Sequence, residues 1–250
     1  MEIKQLNINY FQIKQSEYSK ALTNKYISKA TYYKINFPSF LQNFEKIIYL
    51  DVDIINFKDL TELYRTNLKD NIYIGGILDS IGILKDVTKL GVPAKFTVNG
   101  GVLLMNIKSF VKYNITDKIN NFIKSHFLNH HDQNAINAIC FNHTKILPLK
   151  YNVQKLSYKI GYEKFKEKFK DNQSEYGYKD DELMEAFHKP VNIHFTGYDK
   201  PWDKKYSPCK EFWWYYANKT KYMKEIMKYY KHNETEIKII LSMSSLINSH

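Results

Sequence analysis

The chain has 250 residues, enough for one domain of ordinary size with a substantial core and a small appendage. Its net charge of +11 is almost entirely lysine, because Arg65 is the only arginine, and this argues against a base-edge reader built on arginine forks. No apolar span is long enough to cross a bilayer, residues 1–20 lack a secretory signal, and Cys140 and Cys209 follow no metal or redox spacing, so a reducing cytoplasm fits best.

Lys, Asn, Ile and Tyr are abundant together, as an A+T-rich coding sequence would produce, so part of the charge reflects codon usage. A residual preference for anionic partners such as sugar nucleotides or anionic lipid surfaces remains. In chain order, residues 7–14 alternate weakly as a strand, and residues 18–40 read as mostly helical with a break at Phe37-Pro38, after which Phe40 and Leu41 re-enter the core. The run Lys46-Ile47-Ile48-Tyr49-Leu50 predicts a strand buried on both faces of a mostly parallel sheet. It leads into Asp51-Val52-Asp53. Side chains at i and i+2 of an extended chain point the same way, so both carboxylates converge at the strand's carboxyl end, where open α/β sheets bind ligands. Two carboxylates held that close repel unless a cation lies between them, and a hard divalent ion that also grips phosphate oxygens resolves the conflict. A lone Asp-x-Asp is otherwise a pair of turn residues.

Asp59-Leu60-Thr61-Glu62 has capping-box spacing and starts a short helix through Tyr64. Residues 71–78 predict a strand ending at Asp79-Ser80, and residues 81–96 a loop with a short helix. In the stretch 97–106, Asn99-Gly100 between apolar residues signals a tight hairpin, the reading the pair alone favours; the other is a strand start where backbone approaches a ligand closely. Residues 108–113 form a short helix. Thr116 caps an amphipathic helix with Ile119, Phe122, Ile123 and Phe127 on one face. Asp132-Gln133-Asn134 opens another helix whose Ala135, Ile136 and Ile139 face inward; Asp132 in that position is also an ordinary first-turn acid. Residues 146–152 lead to an extended segment near Tyr151-Asn152, and residues 156–189 show no stable period and read as a surface excursion. Residues 191–195 are strand-like. Ser207-Pro208 starts an aromatic helix over 211–217, and a basic helix over 219–231 closes the chain.

The blocks YLDVDIINFKDLTELY, FTVNGGVLLMN, HHDQNAINAI, LPLKYNV and VNIHFTGYDKPW, in this order from about Tyr26 to Trp202, resemble retaining glycosyltransferases of family 8, which include lipopolysaccharide galactosyl- and glucosyltransferases and glycogenins. The resemblance implies an α/β GT-A fold: a Rossmann-like mixed sheet with flanking helices, over residues 1–205, followed by a C-terminal helical extension over 206–250. It implies a UDP-hexose donor, Mn²⁺ (or Mg²⁺) as cofactor, and transfer of glucose or galactose to a surface glycan or lipid-linked glycan. Carried over block by block, Asp51, Asp53 and His194 are the metal ligands. Lys34, Asp51, Asn99, Gly101, Asp132, Gly197 and Lys200 line the donor, with Lys200 at the diphosphate. Gln133 lies beside the anomeric carbon, with Asp132 as the second catalytic residue. Outside any resemblance, His194 would be an ordinary structural histidine and Lys200 a solvated lysine.

Two departures from the pattern stand out. Lys34 stands where the family often has arginine, and keeps the charge without the planar fork. The chain starts near the end of the family's opening strand-helix-strand unit, so an N-terminally incomplete fold is expected, with a weak or inactive remnant as the alternative to an active enzyme. A lysine-rich module for nucleic acid ranks last. The basic, aromatic C-terminus is a candidate for peripheral contact with the inner face of the plasma membrane, and a packed helical lid fits it slightly better.

Overall fold

The computed structural model describes residues 9–12, 29–80, 82–171 and 176–243. Two small sheets set up the site. The first contains β1 (Lys46–Leu50), β3 (Ile74–Leu78), β4 (Val98–Asn106) and β5 (Thr144–Ile146) in the order β1-β4-β3-β5; the second contains β2 (Ile54–Asn56), β6 (Val153–Gln154) and β7 (Asn192–His194) in the order β2-β7-β6. β4 runs antiparallel to both β1 and β3, while β3 and β5 are parallel. The mostly parallel sheet expected around β1 is therefore a mixed one. β1 is also not buried on both faces: it is half-exposed throughout and, among the described residues, has no strand on its outer side. Within this sheet the fully buried strands are β3 and β4; β6 and β7 of the second sheet are buried as well.

The helix His131–Cys140 lies against β4 and against the helix Ile115–Ser125. Ala135 and Ile136 are buried in the main core and Ile139 packs at its margin, as the sequence predicts. Ile119, Phe122 and Ile123 also face this core, but Phe127 lies beyond the helix end and is 72% exposed. Thr116 does not cap that helix; its hydroxyl donates to Ile35 O at 3.1 Å, and Asn114 in left-handed conformation takes the cap position. Asp59 holds the Thr61 amide, yet the helix Thr61–Arg65 is capped by Leu60 without a side-chain bond, so no capping box forms. Residues 9–12 are not a strand, and the rest of the 7–14 segment lies outside the described residues. A 3-10 helix spans Lys29–Asn36 and Pro38 sits in the first turn of Phe37–Phe40; Phe40 stays exposed.

The largest correction concerns residues 156–189. Their described residues form three helices, Lys155–Ile160, Tyr162–Asp171 and Asp180–His188. Phe165, Phe169, Leu183 and Ala186 are buried in the main core, so this segment is a wall of the fold rather than an excursion over it. Beyond it, Cys209 rather than Ser207 caps the helix Lys210–Ala217. This helix packs with Glu234–Met243 around Trp214, whose indole donates to Pro201 O at 3.0 Å. Between them the predicted basic helix is shortened to Met223–Tyr229. Among the described residues no helix is long and apolar enough to cross a membrane.

Candidate metal and donor site

β1 ends at Leu50 opposite Val102, and the ladder continues one step further, with the Asp51 amide donating to Gly101 O at 2.8 Å. The chain then turns through Val52, which is 96% exposed, and brings Asp53 to the start of β2. β2 pairs with β7 so that Ile54 faces His194, and the Phe195 amide donates to Asp53 O at 2.9 Å. Two registers thus bring three side chains together. Asp51, Asp53 and His194 each present a ligand atom, all within 4.8 Å of one another. His194 Nε2 is 3.2 Å from Asp53 Oδ1 and 3.6 Å from Asp51 Oδ2. Among the described residues this is the one group of three such side chains close enough to share an ion.

Two lysines flank the cluster. Lys34, 3% exposed, donates to Asp51 Oδ1 at 3.2 Å and to Gly100 O at 2.9 Å, and pairs with Asp132 Oδ2 at 2.8 Å. Burial works to pull its ammonium down, but Asp132 and then Asp51 outweigh that, and the group is held above the ordinary lysine range. Lys200 Nζ pairs with Asp53 Oδ2 and donates to Phe195 O at 2.8 Å. Burial would raise the Asp53 carboxyl; the adjacent His194 ring and Lys200 ammonium outweigh it and hold the group well below the usual carboxylate range. Tyr49 completes this side. Burial, opposed by Lys34 and reinforced by Asp51, keeps its phenol above the usual range, so it stays protonated and donates to Asp51 Oδ1 at 2.5 Å.

The site fits a divalent cation. Two carboxylates and an imidazole suit an ion of intermediate softness, and β4 is pressed so close to them that position 101 has no space for a side chain. A Cβ on Gly101 would lie 2.1 Å from His194 Cε1 and 2.8 Å from Asp51 Oδ2. At Gly100, by contrast, an added Cβ would meet Asp132 Oδ2 at 3.5 Å and Gln133 Cβ at 3.6 Å, ordinary contact distances. The hairpin suggested by Asn99-Gly100 does not form, because both residues continue β4. Gly101 serves close approach instead.

Next to the cluster is a buried polar wall. Gln133 Oε1 accepts from Asn99 Nδ2 at 3.1 Å and from the Gly100 amide at 3.0 Å. Asp132 accepts from Thr31 Oγ1 at 2.6 Å in addition to its pair with Lys34. Asn137 clamps β4 by exchanging hydrogen bonds with Val98, 2.7 Å from its amide and 2.8 Å from its carbonyl. On the other side, Gly197 (φ +74°) opens the loop that carries Lys200, and an open cleft is lined by residues 197–200 and 203–205. Lys155 props that loop, donating to Asp199 O at 2.6 Å.

Every predicted site residue is thus in or beside one site. Several others were not singled out from the sequence: Thr31, Tyr49, Asp79, Asn152, Gln154 and Lys155. Asp79 Oδ1 accepts from Asn99 Nδ2 at 3.4 Å and from Gln154 Nε2 at 3.3 Å, and its Oδ2 from the Gly82 amide at 3.0 Å. Asn152 lies within the LPLKYNV block, a signal that could have drawn attention to it; Asp79 carried only the mark of a strand end.

The family model for Glycosyl transferase family 8 matches residues 1–206, more than half of the chain. The chain belongs to glycosyltransferase family 8. This family 8 chain is 27% identical over 224 residues to general stress protein A of Bacillus subtilis (strain 168), covering 86% of its own length and 74% of that protein. It is 29% identical over 199 residues to a lipopolysaccharide 1,2-glucosyltransferase of Escherichia coli, covering 75% of itself but 54% of that relative. The galactosyltransferase LgtC, solved with donor and acceptor sugar analogs, superimposes with a TM-score of 0.62 at 20% identity over 77% of this chain and 68% of that one. At that identity the likeness carries the fold, which is GT-A.

Proposed function

We propose that this chain transfers a hexose, glucose or galactose, from a UDP-sugar to a surface glycan such as lipopolysaccharide or its lipid-linked precursor, with retention at the anomeric carbon. The observation that carries the reading is the Asp51, Asp53 and His194 cluster with Gly101 pressed against it. Mn²⁺ or Mg²⁺ would be held by these three side chains and, when bound, supplies positive charge that stabilises the departing diphosphate. Lys200, on its loop, adds a second positive charge for the same phosphates.

The buried wall handles the sugar. Asn99, Gly101 and Asp132 line it, and Lys34 holds Asp132 and Asp51 at a fixed separation by pairing with both. Gln133 would lie beside the reacting carbon, on the face opposite the leaving group. Its amide is a poor nucleophile and its oxygen already accepts two hydrogen bonds. This supports same-face attack, in which Gln133 steadies oxocarbenium-like charge and the UDP phosphate accepts the proton of the incoming hydroxyl. A glycosyl adduct on Gln133 or Asp132, detected by mass spectrometry, would overturn that scheme.

Calorimetric titration with UDP, with and without Mn²⁺, tests the site on the intact chain and on Asp53→Ala. Binding that needs the metal and disappears in the variant is expected. Equal UDP binding by both proteins would remove the cluster from the function.

A further inference from the structure

The hydrogen bonds behind the metal cluster run in one direction, and the direction has a chemical result. The Gly101 amide can only donate, and its acceptor is Asn99 Oδ1 at 3.0 Å. That turns Asn99 Nδ2 toward Gln133 Oε1 and the Asp79 carboxylate, both acceptors, so the two ends of the Asn99 amide agree. Asn99 Oδ1 also receives a hydrogen bond from Asn152 Nδ2 at 2.9 Å. Asn152 must then present its oxygen to the remaining partner, His194 Nδ1, at 3.0 Å. An amide oxygen only accepts, so His194 carries its proton on Nδ1 whenever the ring is neutral. Nε2, the nitrogen facing Asp53 and Asp51, is left with its lone pair. Asn152 is 1% exposed, and Asn99 and His194 are buried with it, so water does not compete for these bonds.

We infer that Asn152 is a positioning residue with two separable duties: its oxygen fixes the tautomer of His194 for a metal, and its nitrogen fixes Asn99 and, through it, Gln133 on the sugar-facing wall. The inference rests on the function proposed above. It makes the metal half and the sugar half of the site one hydrogen-bonded unit whose polarity is set by a backbone amide, at the glycine that leaves room for the ligands. The fold supplies the juxtaposition. β6 pairs in parallel with β7, matching Val153 with Ile193 and Gln154 with His194, and Asn152 enters immediately before β6.

Two variants divide the duties. Asn152→Leu has similar size and removes both groups. Asn152→Asp keeps an acceptor for His194 Nδ1 and removes the donor to Asn99. Mn²⁺ affinity without nucleotide, followed by electron paramagnetic resonance, is expected to fall about 10–100-fold in the Leu variant and to stay near the intact chain's value in the Asp variant. The extra affinity of UDP-glucose or UDP-galactose over UDP, measured with Mn²⁺ present, is expected to be lost in both. Thermal melts report whether each variant is folded. Should the Leu variant not fold, the Asp variant decides alone: metal affinity kept with hexose discrimination lost supports the inference, and any other combination overturns it. Unchanged Mn²⁺ affinity in a folded Leu variant also overturns it. Failure of the intact chain to bind Mn²⁺ would remove the metal reading itself, a separate result from the two variants behaving alike.

Discussion

The two sides of the site are built in opposite ways. On the side of Lys34, Asn99, Asp132 and Gln133 the polar groups are carried by β4, by the helix His131–Cys140 packed against it and by the 3-10 helix packed on that helix, and their donors and acceptors satisfy one another. On the side of Lys200 the carrier is an open loop after Gly197, propped by Lys155 and lined by lysines and aspartates. A hexose is told from its epimers by hydroxyl positions, which demands fixed partners. A diphosphate is held by charge, which tolerates a mobile ammonium. Selectivity would then reside on the buried, hydrogen-bonded wall and affinity on the loop.

The strongest attack on this contrast is Gly101→Ala. The added methyl would lie 2.1 Å from a ring carbon of His194, so metal-dependent UDP binding is expected to vanish in calorimetry, with about 1–3 kcal/mol of lost stability from overpacking. Lys34→Met should come next. It leaves Asp51 and Asp132 without their shared cation, and breaking a buried pair this way costs about 3–5 kcal/mol, to be read as a lowered midpoint in urea. Lys200→Met should lower that midpoint less than Lys34→Met does, because His194 still faces Asp53, while weakening UDP binding in Mn²⁺ about tenfold, the loss of one charged contact. Loss of fold in this variant, or no change in Lys34→Met, would erase the distinction between wall and loop. Gly100→Ala is the mildest. The methyl fits beside Asp132 and Gln133, so UDP binding should be unchanged and stability should rise by about 0.4–1 kcal/mol.

Acidity gives a further reading of the loop side. The Asp53 carboxyl is held below its ordinary range in the folded chain, so its pairing contributes stability that is fully present above the unfolded value of about 3.9 and is lost as pH falls toward the lower folded value. Below that unfolded value, Asp53→Asn should show a shallower dependence of urea midpoint on pH than the intact chain.

Much of this was legible in the sequence, for local reasons. Asp51 and Asp53 could be read because alternation along an extended chain places them together, and His194 because it sits in a block of recognisable order. Asn99-Gly100 misled because a hairpin rule weighs two residues, whereas nine consecutive buried positions keep β4 straight through them. Residues 156–189 misled differently. Gly161 (φ +80°) interrupts them, each helix is short, and lysines break up the pattern of the first two, yet Phe165 and Phe169, spaced by four, both reach the core. Asn152 and Asp79 act through partners distant in sequence, Asn99 and Gln154 among them, and no local pattern encodes such meetings.

The β1–β4 ladder has a consequence for how the protein tolerates change. Tyr49 faces Leu103 and Leu50 faces Val102, and one step on Asp51 meets Gly101. A slip by a single residue would send every side chain of β1 to the opposite face, putting Leu50 or Val52 where a carboxylate belongs. Chemistry at this site is therefore a readout of alignment. Insertions or deletions within residues 46–56 or 98–106 should be purged in any functional selection, because either strand's shift moves the cation ligands.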